Sequence, residues 1–430
     1  MLVEFSSQAF DIIWQIFKAW WWLPTPFILQ KPFLFLYKWW RIDGWISKRK
    51  MVLLEIKTPR EFLKPIKAME TVLAGIHGAA YQPPDWWERW IEGQIQLSVH
   101  FEIASIGGET HFYIRFDSPY RDSIEASIYS QYPQAEIREV PEYAKQVPQN
   151  IPNAEIDMWG SDYKLLKDDH YPIKTHQEFE TGREAEKEEV VDPVATLLEA
   201  MGKVKPGEQF WIQISAEPFS EGPLMAWLEK GAEIRDKLAR REDKPKDQSI
   251  IQEAAKILIT GEPTVAKEEK KEVLPPEMKL TPGEKVIITA LEEKMSKPIF
   301  NTNIRFVYFG QKDIFFRANF RLAFAYFNAY TTLNCNSLVP LGSTFPKVHK
   351  SWFLPKNRLV PQRRYLRLRK LFRNYVNRFS PFFPRSGGKF MLNTEELASL
   401  YHFPSEATAP APGAPRIEAK KGEGPLTLPI

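Results

Sequence analysis

Cysteine is almost absent from this chain of 430 residues, which contains only Cys335. A single cysteine excludes an internal disulfide and any metal site built from several cysteines, and it is typical of a reducing compartment. The chain also lacks a Gly-x4-Gly-Lys-Ser/Thr phosphate loop, a Gly-x-Ser-x-Gly elbow and a His-Glu-x-x-His zinc motif. We therefore predict a protein that is not an enzyme, with no catalytic residue, no cofactor and no metal.

The seven histidines are scattered along the chain and form no metal-binding motif. His100 and His111 lie on a predicted hairpin, but a turn at Gly107-Gly108 places His111 opposite Ala104 and keeps the two imidazoles apart. Asp168-Asp169-His170 offers ligands for a cation, and a solvated turn is the interpretation that we favour.

Acidic residues are absent between Ile314 and Thr394, where fifteen lysines and arginines occur, although the net charge of the chain is only +4. Aromatic residues alternate with these basic ones. This pattern suits nucleic-acid phosphates with base stacking, anionic lipid headgroups, or docking on the acidic remainder of the same chain. The candidate residues for binding nucleic acid or anionic lipid are Arg358, Arg363, Arg364, Arg367, Arg369, Lys370, Arg373 and Arg378.

Tryptophan is concentrated at the N-terminus, where seven of the fourteen lie within the first 45 residues. Indole rings partition to the boundary between lipid headgroups and hydrocarbon, and the basic residues Lys48, Arg49 and Lys50 mark a cytoplasmic flank. We therefore predict a membrane anchor over residues 1–50, with the chain at the cell membrane and its bulk in the cytoplasm. The anchoring candidates are Trp14, Trp20, Trp21, Trp22, Trp39, Trp40 and Trp45.

The depth of this anchor stays open, because charges and prolines interrupt the apolar run. A kinked span, a re-entrant hairpin and a helix lying in the interface are the membrane-bound alternatives. A tryptophan-rich flap that covers a soluble core is the alternative without a membrane.

Hydrophobic periodicity predicts an α+β fold with two ferredoxin-like units after the N-terminal membrane segment. Strand patterns at 51–56, 96–103, 110–116 and 135–140, with helical patterns at 61–76 and after Ser118-Pro119, give the order β-α-β-β-α-β. A capped helix followed by a strand recurs at Asp192-Pro193 and Thr281-Pro282, which indicates a duplicated motif.

The resulting organisation has five parts, in which a basic helical segment and an extended tail follow the two units. The five parts are the membrane anchor 1–50, the first α+β unit 51–150, the second unit 151–335 with charged insertions at 178–189 and 240–279, the basic aromatic segment 336–392, and a short helix with a proline-rich tail at 393–430.

Several short sequence segments along the chain are more specific than a pattern of hydrophobicity or charge. They are Leu54-Glu55-Ile56-Lys57, His111-Phe112-Tyr113-Ile114-Arg115, Gln131-Tyr132-Pro133-Gln134-Ala135-Glu136-Ile137, Pro206-Gly207-Glu208-Gln209, and Leu392-Asn393-Thr394-Glu395-Glu396-Leu397-Ala398 with His402-Phe403-Pro404. In this order, over residues 51–404, they resemble the amino-terminal, non-motor region of membrane-anchored conjugative, type IV secretion-like ATPases of uncultured bacterial lineages. The resemblance implies an uncharacterised α+β region that precedes a HerA/FtsK-type motor.

We predict from these observations a membrane-anchored, non-catalytic scaffold or regulatory module of a conjugative or type IV secretion-like translocation ATPase, with the motor domain absent from this sequence. A truncated coding frame, a split gene with a separate motor subunit and a stand-alone accessory protein are the alternatives for this absence. The alternative is a membrane-surface nucleic-acid-binding protein that acts through residues 347–385. The expected partners are a membrane and a P-loop motor ATPase, with nucleic acid and a second copy of the chain as further candidates. The predicted docking residues are Asn393, Glu395, Glu396, Leu397 and His402.

Overall fold

The chain divides into two compact units in the computed structural model. An N-terminal unit comprises Met1–Lys50 and Gln82–Gln96, and a main unit comprises Met51–Tyr81 and Leu97–Ile430. The structure describes residues 14–15, 17–20, 22, 25–59, 64–180, 192–239, 280–347, 359–381 and 387–404. The predicted sites Trp21 and Arg358, most of the insertions 178–189 and 240–279, and the tail after residue 404 lie outside these ranges.

Ten α-helices can be delimited in the described ranges, α1 in the N-terminal unit and the others in the main unit. They are α1 Thr25–Ile46, α2 Lys67–Ala80, α3 Arg121–Gln131, α4 His176–Glu180, α5 Pro193–Gly202, α6 Glu221–Leu238, α7 Pro282–Ser296, α8 Arg321–Asn328, α9 Leu359–Asn377 and α10 Thr394–Leu400. Asp192 caps α5 through the Val194 N–H, and Thr281 and Glu284 form a capping box at α7. These two helix starts were predicted from the sequence.

The main unit is built on one antiparallel sheet of nine strands. The strands are β1 Met51–Lys57, β2 Val99–Ile106, β3 Glu109–Asp117, β4 Glu136–Glu139, β5 Ile156–Leu165, β6 Glu208–Pro218, β7 Ile299–Gln311, β8 Leu338–Pro340 and β9 Lys389–Asn393. Their order is β4-β1-β3-β2-β6-β7-β5-β8. β9 pairs with the first half of β7, on the edge that β5 uses in the second half. The chain is therefore α+β.

The sheet corrects the expectation of two separate α+β units. The first four strands have the order β4-β1-β3-β2, and the hairpin at Gly107-Gly108 pairs His111 with Ala104 and His100 with Arg115. The strand β2 also pairs with β6 along its whole length, from Val99 opposite Ala216 to Ile106 opposite Gln209. This pairing joins both halves of the chain into a single sheet, so no boundary falls between them.

Side chains alternate between two apolar clusters on the opposite faces of the sheet. On β7, Phe306 and Tyr308 belong to one cluster, whereas Val307 and Phe309 belong to the other. Helices α2, α3, α5, α8 and α10 cover the larger cluster. Helix α9 covers the smaller one, which it shares with Trp211 and Tyr143. The sheet is therefore buried on both faces, and α9 is the helix that covers the second face.

The N-terminal unit corrects the prediction of a membrane anchor. Within the described ranges, none of the helices combines the length and the apolar character that crossing a membrane requires. The 22-residue helix α1 contains Lys31, Lys38, Arg41 and Asp43, and a charge at the bilayer centre costs about 2.5–3.5 kcal/mol on insertion scales. The predicted membrane segment, the transmembrane helix and the cell-membrane location that depended on them are wrong.

The cationic residues of α1 make contacts inside the N-terminal unit. The Arg41 guanidinium donates to the Ile91 carbonyl, and the Lys38 ammonium lies 5.9 Å from the centre of the Trp90 ring. The Tyr37 hydroxyl donates to the Trp90 carbonyl at 3.2 Å. Among the predicted anchoring residues, the side chains of Trp14, Trp20, Trp22 and Trp40 are exposed, and those of Trp39 and Trp45 are half-buried.

Candidate nucleic-acid interface

Helix α9 presents one apolar side and one basic side. Six arginines and lysines and no acidic residue lie within its 19 residues. Its apolar side chains recur at helical spacing and are buried against the sheet. They are Leu368, Leu371, Phe372, Tyr375 and Val376. The helix therefore needs no further partner to hold its position in the fold.

The close approach of α9 to β5 depends on Gly160. A Cβ atom at residue 160 would lie 2.9 Å from Leu371 Cδ2 and 2.5 Å from the Phe306 carbonyl oxygen. Both distances are shorter than van der Waals contact, so any larger residue would push the helix away from the strand. Glycine at this position fixes the distance between α9 and the sheet.

The basic side of α9 faces solvent, and none of the described carboxylates pairs with it. Arg363, Arg369 and Arg373 are exposed, whereas Arg364, Arg367 and Lys370 are half-buried. The Arg367 guanidinium donates to the carbonyl oxygens of Phe345 and Lys347 at 3.0 and 3.3 Å. Ion pairs of the described chain involve none of these six residues. Within the part of the chain that the structure describes, these six positive charges therefore form no ion pair.

Arg378 differs from the other predicted ligands because it is buried. It follows α9 with a φ of 56°, in the left-handed region where glycine is usual. Its backbone N–H donates to the Tyr375 carbonyl, and the Phe379 N–H donates to the Asn374 carbonyl, which is the hydrogen-bond pattern of a Schellman motif. A left-handed non-glycine residue costs about 1–2 kcal/mol. The prediction that Arg378 binds nucleic acid or lipid is wrong, since its side chain points into the protein.

The Arg378 side chain neutralises Glu102 in the middle of β2. Its Nε and Nη2 atoms donate to the two carboxylate oxygens of Glu102 at 3.0 and 3.1 Å. Tyr143 and Gln213 donate to the same carboxylate at 2.6 and 2.7 Å. Burial favours the protonated form of Glu102, but Arg378 and these hydrogen bonds outweigh it and lower the pKa of the carboxyl. The ion pair ties the end of α9 to the sheet.

A second buried arginine connects the sheet to the same end of α9. Arg305 donates through Nε to Asp162 at 3.0 Å and through Nη2 to the Phe379 carbonyl at 2.6 Å. Burial raises the pKa of Asp162, and the guanidinium of Arg305 offsets only part of this effect. Arg305 and Arg378 are thus structural cations, in contrast to those on the exposed side of α9.

The five predicted docking residues are all buried. Asn393, Glu395, Glu396, Leu397 and His402 expose 4 % or less of their surface. Asn393 and Glu396 form a capping box at the start of α10, as the sequence predicted. The helix packs inside the main unit, so these side chains are not available for docking to a partner, and that assignment is corrected.

The acidic residues of α10 are neutralised by lysines from α7 and from the turn that follows it. The Lys294 ammonium lies 3.1 Å from Glu396 Oε2 and donates to the Met391 carbonyl at 2.9 Å, and both side chains are fully buried. The Ile173 N–H donates to Glu396 Oε1 at 2.9 Å. Lys297 pairs with Glu395 at 2.6 Å. Burial raises the pKa of Glu396, and Lys294 opposes this rise.

The possible cation ligands Asp168, Asp169 and His170 are already engaged within the chain. The Lys230 ammonium lies 2.5 Å from Asp168 Oδ2, and His170 Nδ1 lies 2.5 Å from Asp168 Oδ1. His170 Nε2 hydrogen-bonds to the Trp227 carbonyl at 2.8 Å, and Trp227 donates to Asp169. Burial opposes ionisation of Asp168, but its bonds from Lys230 and His170 lower its pKa. The cluster is a polar contact between this turn and α6.

A cleft of about 440 Å³ lies beside the first turns of α9 and was not foreseen from the sequence. Its lining includes Asp157, Lys312, Arg364 and Tyr365. Arg317, which was not among the candidates, shares the Trp159 ring with Arg364. The signal that pointed to Arg317 was its position inside the acid-free stretch, but its contact with α9 depends on long-range folding.

A protein-family model described as a domain of unknown function, DUF8128, matches residues 45–412. The chain belongs to this family. The match covers the whole sheet and α9, so the basic face and the cleft lie inside the DUF8128 region. No curated protein matches the chain.

The family description names neither a motor nor a secretion system, and the comparison with DUF8128 shows no link to HerA/FtsK-type or secretion ATPases. It agrees with the expectation of an uncharacterised domain family. The membrane, conjugation and secretion roles that the resemblance suggested receive no support from it.

Proposed function

We propose that this chain is a non-catalytic nucleic-acid-binding module that acts through the exposed basic side of α9. The observation that carries this proposal is the exposure of Arg363, Arg369 and Arg373 without a carboxylate partner among the described residues. Phosphates of nucleic acid neutralise such arginines and release counterions, which supplies binding free energy.

The buried arginines argue against the alternative that the basic segment docks on the acidic part of the same chain. Arg305 and Arg378 do pair with carboxylates of the sheet, at 3.0 Å in each case. The arginines on the exposed side of α9 point away from that sheet, because the apolar side of the helix is packed on it. Docking within the chain therefore accounts for the first group of arginines, whereas the second group pairs with no carboxylate among the described residues.

We further propose that the module serves a motor ATPase of the HerA/FtsK type. The support for this part is the ordered set of short sequence segments over residues 51–404 that resembles the non-motor region of such ATPases. A translocation motor that works on DNA gains from a neighbouring subunit that holds the same substrate. The purified chain is expected to hydrolyse no ATP, with or without DNA, and turnover that co-purifies with it would contradict a non-catalytic role.

The experiment is a fluorescence anisotropy titration of labelled single-stranded and duplex DNA over a range of salt concentrations. The test variant is Arg363→Gln/Arg369→Gln/Arg373→Gln. Each lost phosphate contact flattens the slope of log affinity against log salt by about 0.7 for a single strand. We expect the triple variant to flatten it by about 2.1 if each arginine neutralises one phosphate.

The matched control removes three exposed charges elsewhere, in Lys145→Gln/Lys164→Gln/Lys203→Gln. This control has the same net charge as the test variant. Equal slopes for the two variants would show that the binding is a general effect of charge and would contradict a specific role of α9. Thermal unfolding of both variants shows whether each retains the fold.

A further inference from the structure

Two guanidinium groups lie over one indole ring, and one of them, that of Arg364, also lines the cleft. The Cζ atom of Arg317 is 3.9 Å from the centre of the Trp159 ring, and that of Arg364 is 5.1 Å from it. Trp159 is buried on β5, and Phe320 stacks against it with 5.3 Å between ring centres. A rigid aromatic surface thus holds two arginines from different elements close to each other.

These two arginines repel each other, and the described chain provides no carboxylate that pairs with either of them. Burial lowers the pKa of Arg317, and the charge of Arg364 lowers it further. Asp157 lines the cleft and attracts Arg317, but the two form no ion pair within 4.0 Å. Asp157 is thus the one carboxylate in the described lining of the cleft, together with the two cations Lys312 and Arg364, and Arg317 adds a third positive charge beside it.

The remaining lining suits a nucleotide. Lys312 is held by a hydrogen bond from its ammonium to the Ala154 carbonyl at 2.7 Å. Tyr365 exposes 39 % of its surface, and Arg369 donates to its hydroxyl, which orients the ring. The volume of about 440 Å³ falls within the usual range of about 300–1,000 Å³ for ligand clefts.

We propose that one phosphate group of a single-stranded nucleic acid binds between Arg317 and Arg364 beside this cleft, with the adjoining base in the cleft, stacked on Tyr365. The inference rests on the proposed function and identifies where the nucleic-acid strand first contacts α9. Planar guanidinium groups match phosphate oxygens with paired hydrogen bonds, and an exposed tyrosine accepts a base of any sequence. A single strand fits better than a duplex because only unpaired bases expose their faces for stacking.

The experiment measures binding of a labelled oligothymidylate by anisotropy to the full chain and to Arg317→Gln/Arg364→Gln. Loss of one phosphate contact should flatten the salt slope by about 0.7, and affinity should fall while the fold is kept. Arg317→Lys/Arg364→Lys should keep the wild-type slope with reduced affinity, because lysine retains charge but not the planar donor geometry. A salt slope and an affinity that stay at wild-type values in the Gln pair would overturn the proposal.

Tyr365 supplies an independent test of the stacking. Tyr365→Ala should weaken binding about five- to hundredfold, and Tyr365→Phe should bind like the wild type, because a phenyl ring still stacks. The control pair Lys164→Gln/Lys203→Gln should leave both slope and affinity near wild-type values. Equal binding by the Ala and Phe variants would overturn the stacking role.

Failure of this inference differs from failure of the proposed function. If Arg363→Gln/Arg369→Gln/Arg373→Gln weakens binding but the cleft pair does not, α9 binds nucleic acid and the cleft takes no part. If the wild-type chain binds no oligonucleotide, both proposals fail. Competition with thymidine monophosphate distinguishes a free nucleotide from a nucleic-acid strand as the source of the phosphate. A mononucleotide that binds as tightly as the oligonucleotide would overturn the assignment to a strand.

Discussion

Arg378 donates two parallel hydrogen bonds to the carboxylate of Glu102, at 3.0 and 3.1 Å, across 276 residues of sequence. This ion pair fixes the C-terminal end of α9 on the sheet. The exposed arginines of this helix are the proposed ligands for phosphate. Their positions therefore depend on an ion pair made by Arg378, which is itself buried.

Replacing Arg378 with glycine should destabilise the protein although glycine suits the left-handed backbone. Glycine removes the backbone strain at residue 378 and so stabilises the fold by about 1–2 kcal/mol. Burying Glu102 without its cation, however, destabilises the fold by about 3–5 kcal/mol. We expect a net loss of about 1–4 kcal/mol in the free energy of unfolding, measured with urea. The double variant Glu102→Gln/Arg378→Gly should be more stable than Arg378→Gly. A glycine variant as stable as the wild type would contradict this role.

The buried pair between Lys294 and Glu396 leads to a second prediction. Lys294→Met leaves a buried carboxylate without its cation and should lower the free energy of unfolding by about 3–5 kcal/mol. Adding Glu396→Gln should recover part of this loss, because a neutral amide can still accept the bond from the Ile173 N–H. Unfolding of the two single variants and the double variant measures the coupling, and additive losses would contradict it.

His402 gives the fold a pH dependence with a defined sign. Burial opposes its protonation, but Asp192 at 3.0 Å and the Ala398 carbonyl at 2.9 Å outweigh that effect and raise the pKa of His402 above 6.5. A raised pKa in the folded state means that the stabilisation is complete below about pH 6.5 and is lost as pH rises through the folded pKa.

The measurement compares the wild type with His402→Gln by urea unfolding at several pH values. The difference in unfolding free energy between the two proteins should shrink as pH rises above about 6.5 and through the folded pKa of His402. Groups that titrate in both proteins cancel in this difference, and Asp192 stays ionised because its pKa is lowered. A difference that is constant or grows with pH would be inconsistent with a charged His402.

Local features of the fold were readable from the sequence because they depend on neighbouring residues. The glycine pair 107–108 specified the hairpin, and Thr281 with Glu284 specified the start of α7. The pairing of β2 with β6 could not be read in this way. It joins residues more than a hundred positions apart, and several β-prone segments have the apolar alternation that the pairing needs.

The candidate site was predictable only in part for the same reason. The acid-free stretch located the arginines of α9, but it could not separate exposed Arg373 from buried Arg378 five residues later. The carboxylates that draw Arg378 inward come from β2 and from the segment after β4. Glu395 and Glu396 likewise resemble surface residues until Lys294 and Lys297 are placed beside them.

Ultraviolet cross-linking of bound single-stranded DNA, followed by mass spectrometry of the attached peptides, tests the central claim most directly. The account predicts that the cross-linked peptides come from α9, with Tyr365 as a main site of attachment. The Arg363→Gln/Arg369→Gln/Arg373→Gln variant should lose these adducts while it keeps the wild-type unfolding temperature. Cross-links confined to other parts of the chain, and unchanged in that variant, would contradict the assignment of α9 as the nucleic-acid interface.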